Sequence, residues 1–223
     1  MPFFSAQPMT YVVRLIVILS ILPVHEFAHA WMSNKLGDPT ARQLGRMTIN
    51  PLVHLDLIGS LCLLLAGFGW AKPVPVNPNY FKNRKTGMAL TALAGPLSNL
   101  VMGFVVLVLA NLVYLLAALA PSLPQQPLYV LYSVFSLMAQ ISVSLAVFNL
   151  LPVPPLDGSR ILNLVLPERI YFKVMQYERY IALALMALLY IGVLSVPLNF
   201  LTNWVFQGVS RAANLILLPF GLA

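Results

Sequence analysis

The hydrophobic and polar positions of the chain fall into long blocks rather than a short alternation. No charged residue occurs from Thr86 to Leu156, and none from Tyr180 to Ser210. A helix needs about 20 apolar residues to cross a bilayer, so the first block holds two spans. The string Ala-Pro-Ser-Leu-Pro-Gln-Gln-Pro at 120–127 separates them as a short loop. The pattern predicts spans at 88–119 and 128–151, and a third at 180–198 that ends near Pro197. Residues 10–36 read as a further long helix, but with Arg14, His25, Glu26 and His29 inside it. The His-Glu pair breaks the apolar core and no small-residue cleavage pattern follows it cleanly, so a signal peptide is not the reading.

The remaining apolar stretch, residues 57–71, contains Gly59, Gly67 and Gly69. It is short for a span and too glycine-rich for a firm helix, which predicts a re-entrant or interfacial segment. The tail at 200–220 is apolar with Trp204 and Arg211, and reads as a half-span or an interfacial helix. The expected fold is an all-α polytopic membrane bundle of about four to six membrane segments. A re-entrant or extended loop lies near 57–80. Residues 1–223 read as one domain, with its core at 10–195.

Composition agrees with that class. Of 223 residues, 60% are hydrophobic and 9% charged, and the mean hydropathy is +0.85. Soluble domains carry about 25% charged residues, so a soluble enzyme and a disordered chain are both excluded. The net charge of +7 points to basic loops at an anionic membrane surface rather than to nucleic acid. Lys35, Arg42, Arg46, Lys72, Lys82, Arg84 and Lys85 cluster in one connection; Arg160, Arg169, Lys173 and Arg179 cluster in another; 120–127 has none. The positive-inside rule then puts the first two regions in the cytoplasm, and the loop 120–127 and the N-terminus outside. Cys62 is alone, so no intrachain disulfide forms.

Candidate chemistry sits in the polar interruptions. In His25-Glu26-Phe27-Ala28-His29 the two histidines are four apart and share one helix face. They can aim ring nitrogens at one metal ion, with Glu26 beside them to deprotonate a water. The same string on a soluble helix is an ordinary surface pattern. Inside a membrane helix an ionisable group costs about 2.5–3.5 kcal/mol or more and is rarely idle. A catalytic zinc site takes three protein ligands and a water. Outside the motif stand Asp38, Asp56, Asp157, Glu168, Glu178 and His54. Asp157 is preferred. It follows Asn149-Leu-Leu-Pro-Val-Pro-Pro-Leu, where prolines break a helix and leave irregular backbone able to reach an ion. Its alternative is the N-cap of a helix at 158–166.

This combination resembles the site-2 protease family of intramembrane zinc metalloproteases. His25-Glu-Phe-Ala-His29 and the distant Asn149-Leu-Leu-Pro-Val-Pro-Pro-Leu-Asp157-Gly158 carry the resemblance together. Ala94-Gly95-Pro96-Leu97-Ser98-Asn99 is similar to the family's Gly-Pro-x-x-Asn element. Gly69-Trp-Ala-Lys72-Pro-Val-Pro-Val-Asn77 is similar to its membrane-associated extended loop. The resemblance covers residues 10–195. It implies one Zn2+ ion at His25, His29 and Asp157, with Glu26 as general base. It also implies hydrolysis of peptide bonds in a transmembrane segment of a membrane-protein substrate. The active site then faces the cytoplasmic side of the plasma membrane. The family commonly carries a PDZ or CBS module, and this chain reads as a minimal member without one.

Three further readings stay open at the level of sequence. Asn99 either donates to an oxyanion or substrate backbone, or makes an interhelical hydrogen bond among Gly95, Ser98 and Gly103. The Gly- and Pro-rich segment 59–79 either lines the entry of water and pairs with an unwound substrate, or is a plain interfacial loop. His54 is a fourth ligand of a resting state, a second-shell group, or a histidine hydrogen-bonded at the interface. Two rival functions are a membrane metal transporter and a non-catalytic scaffold of the same fold. The first needs no Glu between its histidines and usually shows internal repeats; the second tolerates loss of Glu26. The protease is the preferred reading.

Overall fold

A computed structural model of the chain describes residues 8–66 and 69–221, and every regular element among them is helical. Gly67 lies outside the described residues. In chain order the helices are α1 (Pro8–Lys35), α2 (Thr40–Gln43), α3 (Pro51–His54), α4 (Leu57–Ala66), α5 (Arg84–Leu119), α6 (Gln125–Asn149), α7 (Asp157–Leu162), α8 (Glu168–Met175), α9 (Glu178–Ile191) and α10 (Ser195–Asn214). Short 3-10 turns occupy Pro78–Tyr80 and Leu215–Phe220.

The local sequence explains two of the helix starts. The Asn83 side chain accepts a hydrogen bond from the Thr86 amide and starts α5; Asn50 does the same for α3 through Leu52, with Pro51 in the first turn. Three helices, α1, α5 and α6, are long and apolar enough to cross a membrane. They form the centre of the molecule, with α5 packed against both α1 and α6, and α10 against α5 and α6. Val13, Val17 and Ile21 of α1 meet Val106 and Leu107 of α5, Met138 and Ala139 of α6, and Ala213 of α10. Polar side chains join the same helices. Ser142 donates to the Asn99 carbonyl at 2.7 Å, and Asn111 donates to the Ala213 carbonyl at 3.0 Å. Such interhelical hydrogen bonds replace the hydrophobic drive that lipid does not supply. Outward positions of the spans carry large apolar side chains, among them Val101, Leu116 and Tyr129.

Two expectations need correction. Residues 180–198 are not one helix. Gly192 takes φ +85° and closes α9, and α10 starts at Ser195 with Pro197 in its first turn, where proline is tolerated. Apolar length is carried instead by a bent pair: Arg169–Met175 and Glu178–Ile191 meet at 62° and are together long and apolar enough for a broken span or a re-entrant loop. Residues 57–66 are a firm helix despite Gly59, because six of its ten positions are the strong helix formers leucine and alanine. At about 1.5 Å per residue α4 is about 15 Å long, half the hydrocarbon thickness.

Candidate metal centre

The antiparallel pairing of α1 and α5 sets the depth of the site. His29 lies six residues before the end of α1, and Thr91 seven residues after the start of α5. Both therefore sit about 10 Å inside the same end of the bundle. Asp157 arrives at that end from the loop that follows α6. Gly158 lets it approach: a side chain there would meet the Leu150 and Leu151 carbonyl oxygens at 2.3 and 2.4 Å. Asp157 is the first residue of α7, Leu156 is the N-cap, and no side chain caps this helix. The capping alternative for Asp157 is thereby excluded, and its carboxylate turns to α1.

Three ligand atoms converge there. His25 Nε2 and His29 Nε2 are 3.0 Å apart, and Asp157 Oδ2 lies 3.3 Å from the first and 3.4 Å from the second. Among the described residues this is the group of His, Cys, Asp or Glu able to hold a metal ion. Zinc bonds of about 2.0–2.2 Å in a tetrahedron place ligand atoms about 3.3 Å apart, which is the spacing observed. Asp157 Oδ2 is buried and accepts no hydrogen bond, so it has the lone pairs a cation requires. The residues thus fit zinc.

The helices also fix the histidine tautomer. His29 Nδ1 is 2.7 Å from the Thr91 carbonyl, which only accepts, so Nδ1 carries the proton and Nε2 keeps its lone pair towards Asp157. Gly95, one turn beyond Thr91, lies directly against the rings. A Cβ there would be 2.3 Å from His29 Nε2 and 2.6 Å from His25 Cε1. Burial would raise the Asp157 carboxyl, but the facing imidazoles of His29 and His25 outweigh it and hold the group well below the usual carboxylate range. Glu26 is buried on the same turn of α1, at 8% exposure.

The other expected residues are placed as follows. Asn99 is one turn beyond Gly95 on α5, 1% exposed, and its side-chain oxygen has no hydrogen-bond partner. His54 stands apart from the three-residue cluster. It is fully buried, and its Nε2 donates to the Thr48 carbonyl at 2.7 Å. Its own carbonyl accepts from the Lys72 amide at 2.8 Å. Two more groups hold the stretch 71–77, which has no regular structure. Arg46 donates to the Lys72 and Pro73 carbonyls. Asp38, just past the end of α1, accepts from Ser33, from Thr40 and from the Asn77 amide. Burial raises its pKa, but these donors outweigh it and hold Asp38 below the ordinary value. Sequence reading missed the Thr91 carbonyl, because every residue carries one; it also gave Asp38 no role, because the partner Asn77 is 39 residues away.

Comparison with known proteins agrees with this geometry. The model of peptidase family M50 matches residues 122–193. "Putative zinc metalloprotease YwhC" of Bacillus subtilis is 38% identical over 178 residues, 79% of this chain and 80% of that protein. Rip2 of Mycolicibacterium smegmatis, which bears the same designation, is 28% identical over 164 residues; the match spans 69% of this chain and 59% of that relative's length. SPs1691 of Streptococcus pyogenes, again so designated, is 41% identical over 65 residues, 29% of this chain and 16% of that protein. No solved structure matches.

Proposed function

This chain belongs to peptidase family M50, the site-2 type of zinc metalloprotease, and from that premise we propose that it cleaves transmembrane segments of other membrane proteins near the cytoplasmic side of the plasma membrane. The observation that carries the reading is the convergence of His25, His29 and Asp157 at 3.0–3.4 Å in the buried end of an apolar bundle. These three residues would hold the zinc ion. Bound there, zinc supplies Lewis acidity, which acidifies water and polarises a carbonyl.

The remaining steps belong to the chain's own groups. Glu26 takes a proton from the attacking water and passes it to the leaving amine. Asn99, whose side-chain oxygen has no partner, lies on the face that bears Gly95; that oxygen accepts from the substrate backbone and its Nδ2–H donates to the substrate or the developing oxyanion. The stretch 71–77, fixed by Asp38, Arg46 and His54, offers backbone against which an unwound substrate can pair. The burial of the site limits the water it receives, which suits hydrolysis at a bilayer.

The test separates ligand from base. Asp157→Ala should lower zinc content and abolish cleavage of a single-span reporter. Glu26→Gln should abolish cleavage while zinc stays near stoichiometric, because Gln keeps the shape and loses the basic oxygen. Metal analysis of the purified variants beside the cleavage assay decides. A Glu26→Gln protein that still cleaves would remove this mechanism.

A further inference from the structure

Apart from Lys35 at its end, Arg14 is the charged residue of α1 that the candidate metal centre does not use. It lies eleven residues before His25, about 16 Å along the helix. A cation at that depth is costly and needs partners. Among the described residues no carboxylate pairs with it. Its Nη1 donates instead to the carbonyls of Leu64, at 3.0 Å, and Leu65, at 3.2 Å.

Those carbonyls are a particular set. They belong to the last turn of α4, whose own sequence has no basic residue there. The last carbonyls of any helix lack intrahelical donors and carry the negative end of its dipole. α4 is only about half as long as the hydrocarbon layer is thick, so a helix of that length entering from the interface ends within the layer, where unpaired carbonyls are costly. The guanidinium supplies both missing things, donors and positive charge. Packing alone does not fix α4. It lies chiefly on α1, and a cavity of about 220 Å3 bordered by Arg14, Leu63, Leu137 and Ile141 separates it from α6. Later in the chain Trp70 lies against Gly59, and the Lys72 amide reaches the His54 carbonyl. The placement of 71–77 thus depends on the placement of α4.

We propose that Arg14 is a positioning residue for the proteolytic site: it caps the intramembrane end of α4 and so holds α4 and the stretch 71–77 beside the helix that bears His25 and His29. Its kinetic consequence rests on the function proposed above; its structural consequence does not. Arg14 would act on substrate placement, not on metal or base. Its loss should raise KM with kcat little changed.

The single cysteine gives a direct reading, because Cys62 is a half-buried residue of α4. The full chain is reconstituted in lipid vesicles, and Cys62 is alkylated with N-ethylmaleimide in wild type, Arg14→Lys, Arg14→Gln and Arg14→Leu. Alkylation should speed up several-fold in the Gln and Leu variants and stay near wild type in Lys, which keeps charge and donors. Zinc content should be equal in all four. On a single-span reporter, KM should rise roughly tenfold for Gln and Leu and recover in Lys. Wild-type alkylation and wild-type KM in Arg14→Leu would overturn the proposal. Should Arg14→Leu lose zinc through misfolding, Arg14→Gln decides by the same two measurements. The alkylation arm needs no cleavage: a wild-type protein that never cleaves, with faster alkylation in Gln and Leu, sinks the functional reading and leaves the cap standing.

Discussion

Thr91 and Gly95 lie one turn apart on α5, and between them they set both imidazoles. The Thr91 carbonyl fixes the proton of His29, and the missing side chain of Gly95 leaves room for the rings. Gly95→Ala puts a methyl group where His29 Nε2 and His25 Cε1 already are, and the rings cannot yield without losing the shared centre. Zinc affinity should fall about 10–100-fold, as when an outer partner of a ligand is lost, and competition with a chelator measures it. Asn99→Ala should behave in the opposite way. It removes an amide that touches no ligand atom of the cluster, so zinc should stay and turnover should drop about 100–1,000-fold, as for an oxyanion donor. Wild-type turnover in a folded, zinc-loaded Asn99→Ala protein would assign that residue to helix packing.

At the scale of elements, the site depends on how α1 is tied to the stretch 71–77. Asp38 makes that tie, and its buried carboxylate is satisfied by donors from α1, from Thr40 and from Asn77. An amide at 38 can accept at one oxygen only and sets its own donors against the others. Asp38→Asn should therefore cost on the order of 2–3 kcal/mol at neutral pH. The sign of its pH dependence follows from a folded pKa held below the ordinary value. The contribution is present above the unfolded pKa of about 4 and fades as pH falls through the folded one. Thermal melts of wild type and Asp38→Asn should thus differ at pH 7 and approach each other as pH drops below about 4. A gap that persists in acid would show that the carboxylate charge does not stabilise the fold. The break after α9 belongs to this scale as well: Gly192 stops the helix by its left-handed backbone.

For the whole molecule, the distribution of basic residues decides orientation. Loops 35–50 and 158–175 should face the cytoplasm, and 120–127 the outside. Ser122 and Gln43 are both exposed, so cysteines there, in a Cys62→Ser background, report the two sides. An impermeant maleimide applied to intact cells should label position 122 and spare 43. The reverse pattern would invert the topology and carry the metal centre to the other face. The bundle also uses α10 as a supporting helix, joined to α5 through Asn111 and Ala213.

What the sequence determined by itself was whatever is written in local runs. Charge-free blocks gave the membrane class, because apolar length is a property of consecutive residues. His25, Glu26 and His29 were legible because four residues make one helical turn. Asp157 was preferred for its broken helix and strengthened by resemblance to a family, and its choice over the other carboxylates awaited the fold. Tertiary structure decided the rest. It chose between a cap and a carboxylate facing His25 and His29 for Asp157, and paired His29 with Thr91 across 62 residues. It gave Arg14 its partners 50 and 51 residues downstream and fixed Asp38 as the anchor of the distant stretch 71–77. Asp157 meets two imidazole side chains; the other three cases share one physical reason. Each is a backbone carbonyl or amide meeting a side chain, and backbone groups are the same at every position, so only the packing of helices selects which one is met.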